Sequence, residues 1–334
     1  MAEDRTQARE RSYEELERIF ADVDAPFAFV DLDAMWSNAR EMLQRAAGTP
    51  IRVASKSVRC RSLLGSLLDE PGFRGLMTFT LPESLWLHAH GFDDLLLAYP
   101  SADRGALAEL GRLDSERPPI LMVDSVAHLD LIESAVGRTA RPVRVCIDLD
   151  VSWWPLGGRL KIGVKRSPIR TPHEARELAR EIVRRPGLEL AGLMGYEAHI
   201  AGLGDSPLQK TSQRRGQRPR LAPSRVQAPL IRQIKRLSAS EIAERRAAVV
   251  AAVSEVAPLP LVNGGGTGSI HTTRREDVIT EITAGSGLYA PTLFDRYCAF
   301  SLTPAAMFAM PVVRKPSGST ATLLGGGYPA SGAA

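Results

Sequence analysis

The residues whose types and spacing could do chemistry stand in two places, far apart in the chain. In "IRVASKSVRC", residues 51–60, an apolar run breaks off into Lys56 between two serines. An amine partly withdrawn from water has its charged form disfavoured, so the neutral form becomes available to condense with an aldehyde. A strand-end lysine can equally lay its stem on apolar surface and keep the ammonium in water. The second place is "VNGGGTGS", residues 262–269. Consecutive glycines remove Cβ atoms, so backbone N–H groups can turn toward one point and, with a following helix start, hold a phosphate. A plain turn has the same composition. The loop is not a Walker loop, since no Gly-Lys-Ser/Thr follows. Nor is it a dinucleotide fingerprint, because it comes late and no acidic residue closes a following strand.

Other candidates are more ambiguous. Tyr196 and His199 in "GYEAHIAG" could contact a cofactor ring or relay a proton, and His199 could equally be a hydrogen-bonded loop residue. Asp148 and Asp150 fall on one side of a strand end, where they could pair as acid and base or cap the loop that follows. His88 and His90 are two apart on a helix and face different directions, and His271 could cap the helix after the glycine loop. Cys60, Cys146 and Cys298 have no metal-ligand spacing, and their odd number argues against a disulfide framework.

The elements that must position these residues follow a strand–helix rhythm. Apolar runs at 27–32, 51–55, 75–80, 95–99, 120–124, 143–149, 188–195, 259–263 and 279–284 alternate with segments of helical period. Helices are expected at 33–46, opened by an aspartate, and at 171–184, opened by Thr-Pro. Near-continuous apolar strands imply burial on both faces, as in a parallel sheet covered by helices. Without the first run there are eight strands, the number that closes a (β/α)8 TIM barrel; a doubly wound open sheet is the alternative. In a barrel the chemistry gathers at the C-terminal strand ends, and phosphate sites lie after strands seven and eight. Those ends carry Lys56, the glycine loop and "TAGSGLY", 283–289. A lysine and a phosphate cradle across one mouth suggest a phosphorylated aldehyde held as an imine, of which pyridoxal phosphate is the common one.

After residue 289 the texture changes to short alternating pieces joined by the turn "KPSGS", the start of a C-terminal β-domain. It ends at "PASGAA" with too few strands for an independent sheet, so this domain is expected to be incomplete, apparently truncated, or completed by another subunit. The expected organisation is an N-terminal helical extension at 1–25, a barrel at 26–297 with a basic insertion at 208–237, and the β-domain at 298–334.

Composition adds exclusions. The 334 residues contain no apolar run near the roughly 20 needed to cross a bilayer, and the polar N-terminus has no signal-peptide core. A cytoplasmic protein with no membrane partner is expected. Much of the formal net charge of +4 comes from residues 209–236, which hold nine Lys or Arg and no acid. That stretch could be a nucleic-acid or acidic-lipid patch, or a solvated, Pro-interrupted insertion. No aromatic residue interleaves its arginines, so nucleic acid is not the expected partner.

The segments "PFAFVDLDAMWSNAREM", "RVASKSVR", "GLMGYEAH", "NGGGTGS" and "TAGSGLYAP", in this order, resemble fold-type III pyridoxal phosphate enzymes. Within them the chain looks most like the D-threonine aldolase and D-serine dehydratase branch, the amino acid deaminase/aldolases, with an alanine racemase-like N-terminal barrel. The resemblance spans about residues 26–328. It implies a lyase acting on a small D-amino acid, by retro-aldol cleavage or β-elimination, through a Schiff base on Lys56. It implies catalytic roles for Lys56, Tyr196 and His199, and a phosphate site built from Gly264, Gly265, Gly266, Thr267, Gly268, Ser286, Gly287 and Tyr289. In "GGRLKIGVKRSP" the family places an arginine near the cofactor's phenolic oxygen. Lys161 holds that place here, with Arg159 nearby, keeping the charge without the planar fork. Relatives also use a divalent metal held by His and Cys or Asp in the β-domain, residues that would fall after this chain stops. The rival readings are an amino acid racemase, a non-catalytic pyridoxal phosphate carrier and a truncated inactive enzyme. A homodimer follows from the resemblance.

Overall fold

The computed structural model describes residues 9–137, 139, 141–206 and 227–326. Eight parallel strands make one sheet: β2 (Ile51–Ala54), β3 (Phe73–Thr78), β4 (Leu95–Leu97), β5 (Leu121–Val123), β6 (Val143–Asp148), β7 (Leu188–Gly195), β8 (Leu261–Gly264) and β9 (Glu281–Ala284). The spatial order is β4-β3-β2-β9-β8-β7-β6-β5, and a parallel bridge between Leu96 and Ile120 joins the two ends. The sheet is therefore a barrel, and the doubly wound alternative is set aside. Its strands are almost wholly buried, which is why they read as continuous apolar runs rather than alternating ones.

The first apolar run forms β1 (Phe27–Val30), outside the barrel, antiparallel to β10 (Ala306–Ala309). A separate hairpin follows, β11 (Val312–Ser317) with β12 (Thr320–Leu323). Between β1 and β2 the helix Leu32–Ala46 is capped by Asp31, whose carboxylate accepts from the Ala34 amide at 3.2 Å. The expected start two residues later, at Asp33, is thus corrected. Helix Pro172–Val183 begins as expected, with Thr171 and Glu174 closing a reciprocal capping box. It buries Ala175, Leu178, Ala179 and Ile182, the one-sided stripe of a helix lying on a sheet. Ahead of β1, helix Tyr13–Ile19 leads into Phe20, whose ring lies 4.5–4.9 Å from Phe27 and Phe29.

The barrel interior has an apolar layer that includes Leu96, Met122, Cys146 and Met194, and beside it a charged tie. Arg52 on β2, 1% exposed, donates to both oxygens of Glu281 on β9 and to Asp94 just before β4. Asn263 on β8 donates to Glu281 and Thr283 at 2.7 and 2.8 Å. The tie therefore binds β2, β8 and β9 to one another. These are the strands whose ends carry Lys56, the glycine loop and Ser286.

Of the basic stretch, residues 227–236 open the helix Gln227–Ser254, and residues 209–226 lie outside the described residues. Among the described residues no helix is long and apolar enough to cross a membrane.

Candidate active site

Lys56 does not sit on the strand itself. β2 ends at Ala54 and the chain makes one helical turn, Ser55–Val58, closed by Arg59 in the left-handed region at φ 52°. The Ser55 hydroxyl fixes the turn, with Glu83 at 2.6 Å and the Met77 carbonyl at 3.2 Å, while Arg59 Nε donates to the Lys56 carbonyl at 2.9 Å. The amine is thereby aimed over the barrel mouth. Lys56 Nζ lies 3.5 Å from the Tyr99 hydroxyl, and Phe79 packs edge-on against Tyr99 with centroids 5.5 Å apart.

Across a cavity of about 180 Å³ from Lys56 stand Gly265, Gly266, Thr267 and Ser286. Thr267 Oγ1 and Ser286 Oγ are 3.3 Å apart, and the Gly287 amide supports Thr267 Oγ1 at 3.0 Å. Glycine is required here in two ways. Gly265 has φ 87°, and a Cβ on Gly266 would stand 2.8 Å from Ala201 Cβ and 3.0 Å from the Tyr196 ring. Behind the loop, buried Glu197 gathers donors: the Gly265 amide at 3.2 Å, Ser269 Oγ at 3.0 Å, Arg246 Nη2 at 3.1 Å and the Thr273 hydroxyl. Arg246 balances the charge, so the loop is anchored from below.

The expected residues divide into three groups. Lys56, Tyr196, Gly265, Gly266, Thr267 and Ser286 line the cavity. Gly264, Gly268, Gly287 and Tyr289 do not line it; the Tyr289 hydroxyl donates to the Val58 carbonyl at 2.8 Å and so ties the segment after β9 to the lysine turn. Arg159, Lys161 and His199 are not at the cavity wall. A two-way pairing of Trp153 with Ile162, both bonds 2.8 Å, pinches off the loop that carries Arg159 and Lys161, and Lys161 Nζ lies 4.2 Å over the Trp154 ring. His199 is buried beneath the same loop, against Gly163, where burial holds its pKa below the ordinary imidazole range.

Arg166, five residues beyond Lys161, enters the cavity instead. It stacks 4.9 Å from the Tyr99 ring and 5.8 Å from the Tyr196 ring, donates to the Ala98 carbonyl at 2.9 Å, and lies 3.5 Å from Asp148. The two aspartates thus part company. Asp150 accepts from the Ser152 amide and hydroxyl at 2.9 and 3.0 Å and caps the loop. Asp148 backs Arg166, and burial, partly offset by Arg166, raises its pKa to about 7. Burial raises Tyr196 above the usual phenol value. For Tyr99, burial pushes upward but Lys56 and Arg166 outweigh it, so its pKa falls. His271 is not the cap of its segment; that place belongs to Ser269. Tyr99 and Arg166 are the residues that sequence reasoning missed; Tyr99 stood in plain view at the end of the third barrel run, 95–99.

A closed eight-stranded parallel barrel, with a lysine and a glycine-lined loop facing each other across a cavity at the C-terminal mouth, defines a TIM-type barrel. More particularly, the chain belongs to the alanine racemase N-terminal domain family, which residues 30–290 match. That family binds pyridoxal phosphate. Three similar solved structures share the fold. D-threonine aldolase from Filomicrobium marinum has a TM-score of 0.71 at 19% identity, covering 91% of this chain and 73% of the other. D-threo-3-hydroxyaspartate dehydratase from Delftia sp. HT23 has 0.60 at 22%, covering 87% and 68%. Alanine racemase from Corynebacterium glutamicum has 0.54 at 16%, covering 89% and 72%. A search of curated proteins found no match. Among the described residues no group of three or more His, Cys, Asp or Glu side chains could hold a metal ion.

Proposed function

We propose that the protein is a pyridoxal phosphate-dependent lyase acting on a small D-amino acid, by retro-aldol cleavage of a D-3-hydroxy amino acid or by β-elimination. The observation that carries this reading is the placement of the Lys56 amine across one cavity from Gly265, Gly266, Thr267 and Ser286. The cavity fits the cofactor: a Cβ on Gly266 would close its phosphate end, two hydroxyls converge there, and a lysine and tyrosine faces occupy the rest. The aldolase and dehydratase among the similar structures favour the lyase over the racemase reading.

Pyridoxal phosphate, when bound, supplies an electron sink for the charge that develops at the substrate carbon. The chain's own residues do the remainder. The Thr267 and Ser286 hydroxyls would hold the phosphate, with the glycines leaving it room, and Tyr196 would wall the ring. Arg166, gripped between two tyrosines, presents a fixed positive charge. Lys56 Nζ, with the Tyr99 hydroxyl at 3.5 Å, is the group placed to take and return a proton at the substrate. On this reading residues 26–297 are the cofactor barrel, residues 298–334 belong to a β-domain, and two copies associate.

Two measurements test the proposal. Borohydride reduction of the protein incubated with pyridoxal phosphate, followed by peptide mapping, is expected to place the label on Lys56, and Lys56→Ala to lose both the visible absorbance and at least about 10³-fold in turnover. An unlabelled Lys56 would overturn the cofactor assignment. D-threonine should give glycine and acetaldehyde, or D-serine pyruvate and ammonia, with or without a divalent metal. Labelling of Lys56 without turnover of either substrate would sink the lyase reading and leave a cofactor carrier; release of the L-amino acid would indicate a racemase.

A further inference from the structure

The glycine loop has a second face. On the side away from Lys56, Gly268 and Thr272 line a cavity of about 420 Å³, the larger of the two that touch this loop. Its wall is cationic: Arg232, Lys235 and Arg236 come from the start of helix Gln227–Ser254 and Arg275 from the segment after the loop, beside His271, whose pKa burial and the neighbouring cations lower to about 4, so that its ring is neutral. Its two acids are already engaged. Asp205 lies 3.3 Å from Lys235 Nζ and accepts from the Cys298 amide at 2.9 Å, and Glu276 lies 2.6 Å from Arg246. Arg236 donates to the neutral amide of Gln233 at 2.7 Å, and neither Arg236 nor Arg275 is within ion-pair distance of a carboxylate among the described residues. Lys235 is 9% exposed, with Nζ 4.6 Å over the Tyr297 ring, and the buried His271 Nδ1 has no partner among the described residues.

Like charges gathered around a partly enclosed volume repel one another, and an anion placed among them relieves that repulsion. Two guanidinium groups without carboxylate partners, beside a buried ammonium, suit a doubly charged tetrahedral oxyanion with several acceptor oxygens. We propose that this cavity binds a small phosphate, inorganic or as a phosphate monoester, separately from the cofactor's phosphate. Because Gly268 and Thr272 form part of its wall, occupancy here steadies the loop that holds the cofactor from its opposite face.

The test titrates inorganic phosphate into the full chain saturated with pyridoxal phosphate, at constant ionic strength with chloride as the balancing anion. Calorimetry is expected to show saturable binding, weakened at least tenfold in Arg236→Ala/Arg275→Ala, with the cofactor's visible absorbance retained. A Thr267→Val/Ser286→Ala variant is run beside it, since an empty cofactor cradle would also take phosphate. Absence of saturable binding, or binding unaffected by the arginine substitutions and lost in the cradle variant, overturns the proposal. A glucose phosphate arm shows whether the ester is accepted; binding of inorganic phosphate alone retains the site and restricts it to the free ion. Failure of the chain to take up pyridoxal phosphate would count against the proposed function only, because dependence on Arg236 and Arg275 is read independently.

Discussion

Burying a carboxylate disfavours its charge, and Asp148, 2% exposed, shows the consequence. Its folded pKa of about 7 lies above the ordinary aspartate value near 3.9. A group with a raised folded pKa binds more protons folded than unfolded, so this carboxyl costs stability progressively as pH rises from about 4 to about 7. Asp148→Asn removes that dependence. Denaturant unfolding should show the variant gaining on the parent by about 2–3 kcal/mol more at pH 8 than at pH 5; a pH-independent difference would contradict the burial argument. The same variant loosens Arg166, so its cofactor affinity should fall even where its stability rises. Tyr99 and Arg166 also mark how far single residues can be read in sequence. A lysine after an apolar run and a run of glycines announce themselves, because each is defined by immediate neighbours. Which cation of the 159–166 loop turns inward is decided by the Trp153–Ile162 pairing, which no local rule foretells.

At the scale of elements, the barrel's charged tie matters most. Arg52, Glu281, Asp94 and Asn263 link β2, β8 and β9 beneath the site. Removing one member of a buried pair leaves the other uncompensated, which costs about 3–5 kcal/mol. Arg52→Met should therefore destabilise by about that amount, read from unfolding curves, whereas Arg52→Met/Glu281→Leu should recover part of the loss. If the double variant is no better than the single, the penalty lies in packing and not in charge. Strand positions were legible because parallel strands buried on both faces have an unmistakable composition, and of the helices the two with cap signals, 33–46 and 171–184, were placed. The helix start at Asp31 was misplaced by two residues because Asp31 and Asp33 are chemically equivalent caps. Arg11 bonds both aspartates, and the difference is that Asp31 also donates its amide to the Ala305 carbonyl at 2.7 Å, a contact made by distant chain.

For the whole molecule, a ligand that binds only the folded barrel stabilises it by mass action. Pyridoxal phosphate at a hundredfold excess over its Kd should add about 2.7 kcal/mol. The melting temperature should rise with cofactor concentration and stop rising in Lys56→Ala at concentrations that saturate the parent; an equal rise in both would mean that Lys56 contributes nothing to holding the cofactor. By itself the sequence determined the strand–helix alternation, the eight-strand count, the lysine after the first barrel strand and the glycine loop, since these follow from composition and from short-range steric rules. Only the tertiary structure decided that Lys161 and His199 are not at the cavity, that Arg166 and Tyr99 are, and that the glycine loop has a cationic cavity at its back. The reason is physical: barrel closure brings together strand ends from widely separated parts of the chain, and which side chains meet there depends on the packing of loops whose sequences carry no periodic signal.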